Sequence, residues 1–126
     1  MVVHIVLFKP RADLSDADRD ALGSALGSAV SEIASIRGFH VGRRVRHGAA
    51  YEASMPDDLE YAAVIEFDDL DALKAYLQHP VHQELGRRFM DAITAAFVYD
   101  YEMEHGTGPG RLLEGSLVRP VDETGA

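Results

Sequence analysis

Apolar residues in the first third of the chain follow two different periods, which predict a strand and then a helix. The run from Val2 to Phe8 is apolar but for one histidine, is rich in β-branched residues and stops at Pro10, as is typical of a strand covered on both faces. Ser15 is a favourable cap, so a helix is expected from there to about Arg37, with Gly38 ending it. The apolar positions of this helix recur at helical spacing: Leu22, Leu26, Val30, Ile33 and Ile36.

Two further strands are predicted on either side of an aperiodic loop. Residues 39–46 alternate, with Phe39 and Val41 on one face, and residues 60–67 are again strand-like. Between them, residues 47–58 carry Gly, Ala, Ser, Pro and Asp without a repeating period. This segment is therefore expected to form a loop.

A broken helix and a final strand complete the pattern. Asp68 or Asp69 can cap a helix, and Pro80 is expected to kink that helix or to restart it as a new first turn. The apolar positions of the two helical segments are Leu70, Leu73, Tyr76 and Leu77, followed by Leu85, Phe89 and Ile93. Residues 97–103 then predict the last strand.

The predicted order of elements, β-α-β-β-α-β, indicates an α+β protein with a ferredoxin-like fold and a four-stranded antiparallel sheet. Two helices cover only one face of such a sheet. His4, Val6 and Phe8 form a largely apolar alternate set on the first strand, and we predict that they lie on the other face. The sheet of a second copy would cover that face, so we expect a homodimer that packs through its sheet faces.

Length and composition fit a single domain with a terminal tail. The chain has 126 residues, and 47% of them are hydrophobic. This length and composition are sufficient for one hydrophobic core, but the chain is too short for two domains. The domain is expected to span residues 1–105, because the glycine-rich stretch 106–110 marks its end. Residues 106–126 are expected to be flexible or to pack on the dimer through Leu112, Leu113, Leu117 and Val118.

Charge and composition narrow the classes of partner. The formal net charge of -9 argues against nucleic acid or an anionic membrane as the main partner. The chain has no cysteine, and its first apolar run is too short to span a bilayer and lacks the basic start of a signal peptide. These features favour a cytoplasmic protein without disulfides. Arg43, Arg44 and Arg46 either neutralise an anionic ligand or, as we expect, pair with the abundant acids.

A phenol and two imidazoles lie close together in sequence around Pro80 and carry the candidate chemistry. His82 starts the new helical segment, where the positive end of the helix dipole favours the neutral imidazole that a general base requires. Tyr76 can donate a hydrogen bond at an apolar pocket wall. Each residue also has a structural alternative, since His82 can bond a local carbonyl and Tyr76 can pack in the core.

The remaining histidines allow other roles. His79 precedes His82 by three residues, a spacing that could supply two metal ligands, but the intervening proline spoils it and no dense third and fourth ligand set accompanies the pair. We therefore predict no metal site and expect His79 to hydrogen-bond across the break. His4 is either a satisfied interior histidine or, if its face looks into a cavity, a second proton carrier. No organic cofactor is expected, because the glycine-rich stretch lacks a phosphate-loop lysine.

With these motifs in the expected order, the chain resembles the stress-responsive A/B barrel (Dabb) family of the dimeric α+β barrel superfamily over roughly residues 2–104. The Tyr-x-x-His-Pro-x-His pattern is the specific part of this resemblance. The motifs that carry it are His4–Lys9, Gly42, Glu60-Tyr61 through Glu66-Phe67, Ala75–His82 and Asp100-Tyr101-Glu102. The resemblance implies two subunits whose sheets form an eight-stranded barrel, each subunit with a cavity between sheet and helices.

One branch of the family resembles enzymes that close polyketide chains by intramolecular aldol condensation with a Tyr-His pair. By motif position that pair corresponds to Tyr76 and His82, and the opening histidine of the branch corresponds to His4. The chain departs from the branch on its first helix, where Leu22, Gly23 and Leu26 replace aromatic pocket residues. This departure argues against a long polyketide substrate.

We therefore predict a protein with a small-molecule pocket and, as a hypothesis, acid-base chemistry of the cyclase, lyase or isomerase type on a keto, enol or phenolic compound. The expected catalytic residues are His82, Tyr76 and His4. The expected ligand contacts are His79, Leu22, Leu26, Tyr61 and Phe89, although Tyr61 is also a candidate for strand packing. Two alternatives remain, namely a non-catalytic stress-associated assembly or ligand-binding protein and a cofactor-free monooxygenase.

Overall fold

A computed structural model describes residues 1–104 and contains one four-stranded antiparallel sheet with three helices on one side. The strands are β1 (Val2–Pro10), β2 (Gly38–Arg43), β3 (Tyr61–Phe67) and β4 (Ile93–Glu102), in the spatial order β2-β3-β1-β4. The helices are α1 (Asp16–Glu32), α2 (Leu70–Gln78) and α3 (Pro80–Ala92), and a short 3-10 helix spans Ala50–Ser54. The predicted ferredoxin-like fold is confirmed. The predictions for the tail and for Leu112, Leu113, Leu117 and Val118 lie outside the described residues.

The strand register decides which face of β1 meets the helices. His4 lies opposite Ile65 on β3 and Asp100 on β4, and directly opposed residues of antiparallel strands share a face. The His4 ring contacts Tyr76 of α2, and Phe8 contacts Phe89 of α3. The set His4, Val6 and Phe8 therefore faces the helices, and its predicted place on the outward face was wrong.

The prediction failed because both alternating sets of β1 are apolar, so periodicity alone does not distinguish them. The outward set is Val3, Ile5 and Leu7. On the neighbouring strand β4, Phe97, Tyr99 and Tyr101 lie opposite Leu7, Ile5 and Val3, and the three aromatic side chains are 44%, 50% and 48% exposed. The outward face thus carries exposed aromatic side chains, as expected for an apolar face, although other residues of β1 form it and one of them, Val3, is buried.

The main core lies between the sheet and the helices. Phe67 and Leu73 are its largest fully buried side chains, and each such burial stabilises the fold by roughly 1.5–3 kcal/mol. The core cluster comprises Val2, Ala29, Ile33, Ile65, Phe67, Leu73, Tyr76 and Leu85. It brings one face of β1 and β3 into contact with all three helices.

The first helix ends earlier than the periodicity predicts. Ser15 caps it as expected, since its hydroxyl accepts a hydrogen bond from the Asp18 amide over 3.1 Å. The helix stops at Glu32, because Ile33 turns into an extended conformation and is buried in the core. Gly38 consequently opens β2 and does not end the helix, which corrects the predicted boundary. The second strand in turn ends at Arg43, three residues short of its predicted end.

Two caps define the helices on either side of Pro80, one at the start of α2 and one at the break itself. Asp69 caps α2, accepting from the Ala72 amide over 2.8 Å. His79 ends α2 and also caps α3, because its ring Nδ1 accepts from the Val81 amide over 3.1 Å. Pro80 occupies the first turn of α3, where its missing N–H costs nothing. The break therefore sets the angle at which Tyr76 and the start of α3 meet.

Two of the three arginines that follow Gly42 pair with an acid of the next loop. Arg44 donates to Asp58 over 2.7 Å, and Arg46 contacts the other oxygen of the same carboxylate. Hydrogen bonds from the two guanidinium groups lower the pKa of Asp58.

Among residues 1–104, none of the helices combines the length and the apolar character that crossing a bilayer requires.

Candidate active site

A cavity of about 260 Å³ lies between the helices and the inward face of the sheet. Its walls are Val6, Phe8, Leu26, Phe39, Val41, Ala63, Ile65, Tyr76, Leu77, His82, Leu85, Gly86, Phe89, Met90 and Val98. The Tyr76 hydroxyl and the His82 imidazole are the polar side-chain groups of this lining, which contains no charged residue type. Two larger depressions, of about 460 and 480 Å³, contain charged residues in their linings, and neither Tyr76 nor His82 lines them. The smaller, apolar cavity is therefore the candidate site.

Three rings meet at Tyr76, which is a wall residue of this cavity. Tyr76, on α2, lies with its ring centroid 4.5 Å from that of His82, on α3. The His4 ring, on β1, contacts the same phenol in an edge-on arrangement with the centroids 5.7 Å apart, and His4 is not a wall residue of the cavity. The structure thus brings together the three residues predicted to be catalytic. The Tyr76–His82 contact spans the helix break, which explains how residues six apart can meet.

His82 has its tautomer fixed by the preceding helix. Its Nδ1 lies 3.1 Å from the carbonyl oxygen of Leu77, and because a carbonyl only accepts, Nδ1 carries the proton. This carbonyl belongs to the last turn of α2, where carbonyls lack partners within the helix. In the neutral ring, Nε2 therefore keeps a free lone pair. His82 thus bonds a local carbonyl, as its structural alternative predicts, while its role as a base stays a prediction.

The environment of His82 keeps the ring neutral at physiological pH. Partial burial lowers the pKa of His82 below 6.5, the hydrogen bond to Leu77 opposes this shift, and the nearby His4 adds to it. A neutral imidazole with a free Nε2 can accept a proton.

Tyr76 has the opposite protonation preference. The residue is only 3% exposed, and burial raises the pKa of its hydroxyl to about 12. The phenol therefore stays protonated near neutral pH and can donate a hydrogen bond. Its ring packs against Phe67 with the centroids 5.2 Å apart. Within residues 1–104, the Tyr76 hydroxyl makes no hydrogen bond to a protein group, which leaves its donor available to a ligand.

Asp100 is a site residue that the sequence reasoning did not select. The His4 Nδ1 and the Asp100 carboxylate oxygen lie 2.5 Å apart, so the ring donates to the acid and its Nε2 remains unprotonated in the neutral form. Asp100 is half-exposed, whereas His4 is buried. One signal could have drawn attention to it, because Asp100 belongs to a stretch that carries the family resemblance. Its pairing with His4, however, depends on the register of β1 and β4.

The residues predicted to contact a ligand are placed in different regions. Leu26 and Phe89 line the cavity. Tyr61 stacks on Phe8, one of the wall residues, with the ring centroids 5.7 Å apart. Leu22 lines a separate, more polar depression of about 260 Å³ between α1 and α3. His79 serves as the helix cap described above. The sequence reasoning did not select several wall residues, among them Gly86, Met90 and Val98.

The arrangement of histidines does not form a metal cluster in the part of the chain that is described. Within residues 1–104, no group of three or more His, Cys, Asp or Glu side chains could hold a metal ion. His79 and His82 each use Nδ1 for a hydrogen bond to the backbone. The chemistry that this site offers through its own residues is proton transfer and hydrogen bonding to oxygen.

The fold and the cavity together define a ferredoxin-like α+β domain that encloses a small, mainly apolar pocket with a Tyr-His pair at one end. The family model described as "Stress responsive A/B Barrel Domain" matches residues 2–103. The chain belongs to this family, which confirms the resemblance inferred from the motifs.

Solved structures with the same fold include proteins of different activities. The chain is similar to a hydroxynitrile lyase from Passiflora edulis, with 17% identity, a TM-score of 0.70, and coverage of 82% of this chain and 94% of that one. It is also similar to a dimeric ferredoxin-like protein of unknown function from Bacteroides fragilis, with 29% identity, a TM-score of 0.58, and coverage of 81% and 95%.

A third similar structure is that of SnoaB, a cofactor-independent oxygenase from Streptomyces nogalater, determined for its N63A mutant. It is 12% identical with a TM-score of 0.60, and the match covers 82% of this chain and 93% of that one. A search of curated proteins finds no match. At these identities the two enzyme structures support the fold and leave the reaction to be argued from the site.

Proposed function

We propose that this protein is an enzyme that performs cofactor-independent acid-base chemistry on a small keto, enol or phenolic compound, in a cyclase, lyase or isomerase type of reaction. The observation that carries the proposal is the contact between the Tyr76 and His82 rings, 4.5 Å apart, on the wall of an apolar cavity. Burial moves the two pKa values in opposite directions, which assigns a proton acceptor and a proton donor.

Each group has a defined role in this proposal. The Nε2 atom of neutral His82 removes a proton from the substrate, either from carbon next to a carbonyl or from a hydroxyl, and becomes imidazolium. The Tyr76 hydroxyl donates a hydrogen bond to the oxygen on which negative charge develops. The imidazolium then returns the proton to product or leaving group. His4, held by Asp100, is the proposed second proton carrier, and it reaches the site through its contact with Tyr76 because it does not line the cavity itself.

A solvent-exchange experiment tests this assignment with simple ketones in place of the natural substrate. Aromatic methyl ketones in D₂O exchange their α-protons when a base removes them, and NMR follows the exchange. We expect His82→Ala and Tyr76→Phe each to slow the protein-dependent exchange by roughly 10²-fold or more. His47→Ala, at an exposed histidine outside the cavity, is the matched control. Equal exchange in the wild type and both site variants would refute the roles. Cleavage of an aromatic hydroxynitrile, assayed alongside, tests the lyase form.

We further propose that the active form is a cytoplasmic homodimer paired through the outward sheet faces. The aromatic residues of β4 and the outward set of β1 form an apolar surface that a second sheet would cover. Several similar structures, including that from Bacteroides fragilis, are described as dimeric. Nucleic acid and membrane have no part in this proposal.

A second candidate is a non-catalytic, stress-associated ligand-binding or assembly protein. It is favoured by the position of Tyr76, which belongs to the core cluster and packs on Phe67. In that case the motif joins the helices to the sheet through the ring contacts of Tyr76, and His82→Ala should lower the melting temperature more than it changes ligand binding. A third candidate, a cofactor-free monooxygenase, is favoured by the fold similarity to SnoaB. Oxygen uptake with quinol-like compounds tests it.

A further inference from the structure

Gly86 occupies an unusual position for a glycine, in the middle of α3 and on the wall of the cavity. Glycine is unfavourable in the interior of a helix because it loses more backbone freedom on folding than other residues. A Cβ atom built on Gly86 would meet nothing within 4 Å, so neighbouring atoms do not require glycine here. The missing side chain leaves space that belongs to the cavity.

This space lies between the polar and the aromatic end of the site. His82 and Phe89 are seven residues apart on α3, which is two helical turns and about 10 Å, and both line the cavity with Gly86 between them. At the far end, Phe89 packs edge-on against Phe8 with the ring centroids 4.8 Å apart, and Tyr61 stacks behind Phe8. This aromatic group borders the cavity away from the Tyr76–His82 pair.

The lining also restricts the charge of a ligand. The two arginines of the same helix, Arg87 and Arg88, both bind Glu84 and are absent from the cavity wall. A carboxylate in the apolar interior would therefore lose its hydration without gaining an opposite charge. The Tyr76 hydroxyl and the His82 imidazole lie together at one end of the cavity. They can therefore form hydrogen bonds with one oxygen group of a ligand, at that end.

We propose that the ligand is a neutral molecule with one carbonyl or hydroxyl group and a flat apolar ring, and that Gly86 is the residue that makes room for the ring. The oxygen lies at Tyr76 and His82, the ring lies over Gly86 beside Phe89 and Phe8, and the volume of the cavity limits the size of the ligand. A cavity of about 150 Å³ accommodates benzene, so 260 Å³ holds roughly ten non-hydrogen atoms. This inference rests on the proposed site and names its substrate class.

Binding of simple probes to the full-length protein tests this proposal by ligand-observed NMR and calorimetry. Acetophenone and benzoate have nearly the same shape, but only benzoate is charged, and 4-acetylbiphenyl has the same ketone on a longer body. We expect acetophenone to bind at least tenfold more tightly than either of the other two. Gly86→Val should weaken acetophenone binding at least tenfold, whereas Gly27→Val, at an exposed α1 glycine that also has open space, should leave it unchanged.

Equal affinity for benzoate, no detectable binding of acetophenone, or unchanged binding by folded Gly86→Val would overturn the proposal. If Gly86→Val does not fold, Gly86→Ala serves instead, with a smaller loss of affinity expected and Gly27→Ala as its control. Because these measurements need no turnover, they separate the two proposals. Tight, Gly86-dependent binding without proton exchange would refute the catalytic function alone. If proton exchange depends on Tyr76 but benzoate binds as tightly as acetophenone, only the proposed ligand class is refuted.

Discussion

The His4 ring donates a hydrogen bond through Nδ1 to the carboxylate of Asp100 over 2.5 Å, between two paired strands. The acid thereby fixes the tautomer of a buried histidine whose ring is in contact with Tyr76. Hydrogen bonds to a charged group are stronger than neutral ones, so this pair orients the ring as well as stabilising the sheet.

Replacement of Asp100 by alanine should release this ring. We expect the free energy of unfolding to fall by about 1 kcal/mol, because buried His4 loses its hydrogen-bond acceptor while Asp100 itself is only partly buried. Urea unfolding measures the loss, and the ¹⁵N NMR shifts of the His4 ring report the change of tautomer. Asp57→Ala, at an exposed acid of the loop before β3, is the control. A His4 ring with unchanged nitrogen shifts in the variant would contradict the positioning role of Asp100.

Tyr76→Phe should separate chemistry from packing. The variant keeps the ring that packs on Phe67 and removes a hydroxyl without a protein hydrogen-bond partner among residues 1–104, so we expect a change of less than about 1 kcal/mol in stability. Proton exchange or turnover should nevertheless fall by roughly 10²-fold or more. Tyr76→Ala, in contrast, should cost about 3–5 kcal/mol because it empties a core position. Full activity in a stable Tyr76→Phe protein would remove the tyrosine from the mechanism.

Activity should depend on pH through His82 and not through Tyr76. Burial lowers the pKa of His82, so the base is neutral at pH 7 and activity should fall only on acidification below about 6.5. Burial raises the pKa of Tyr76 to about 12, so the donor stays protonated and the rate should remain level to about pH 10. A pH-rate profile of kcat/KM checks both limbs. A loss of activity between about pH 8 and 9 would contradict the role of Tyr76 as the donor.

His82 should also make stability depend on pH. Its folded-state pKa is lower than its unfolded value, so the unfolded chain takes up a proton more readily on acidification. The stability contribution of neutral His82 is therefore present above the unfolded pKa of about 6.5 and is lost as the pH falls through the folded value. Urea unfolding of the wild type and of His82→Gln at several pH values measures the difference. If the free energy of unfolding of the wild type falls on acidification no more steeply than that of His82→Gln, the predicted direction of the pH dependence is wrong.

The outward aromatic surface should hold the dimer together. Tyr99 and Tyr101 are about half exposed in the single chain, and a charge there would have to be buried without a partner in a sheet-to-sheet interface. We expect sedimentation of the wild type as a dimer at micromolar concentration and dissociation of Tyr99→Glu into monomers. Tyr51→Glu, at an exposed tyrosine of the 3-10 helix, should remain dimeric. A monomeric wild type would remove the dimer proposal.

Much of the fold was predictable because its signals are local. Capping by Ser15, the restart at Pro80 and the apolar run of β1 depend on a few neighbouring residues, and the structure contains all three. The Tyr76–His82 pair was also found in the sequence, since one short motif carries both residues. The end of α1 was wrong because Ile33 and Ile36 continue the helical period, while the chain leaves the helix to bury Ile33.

The sequence by itself determined the order of the strands and the main helices, the break at Pro80 and the choice of His4, Tyr76 and His82 as the three rings of the site. Only the tertiary structure decided that β1 turns His4 towards the helices, that Asp100, 96 residues later, is its partner, and that Gly86 opens the cavity. The physical reason is that both alternating sets of β1 are apolar, so either could face the core. Strand register and helix packing, which join residues far apart in the chain, make that choice.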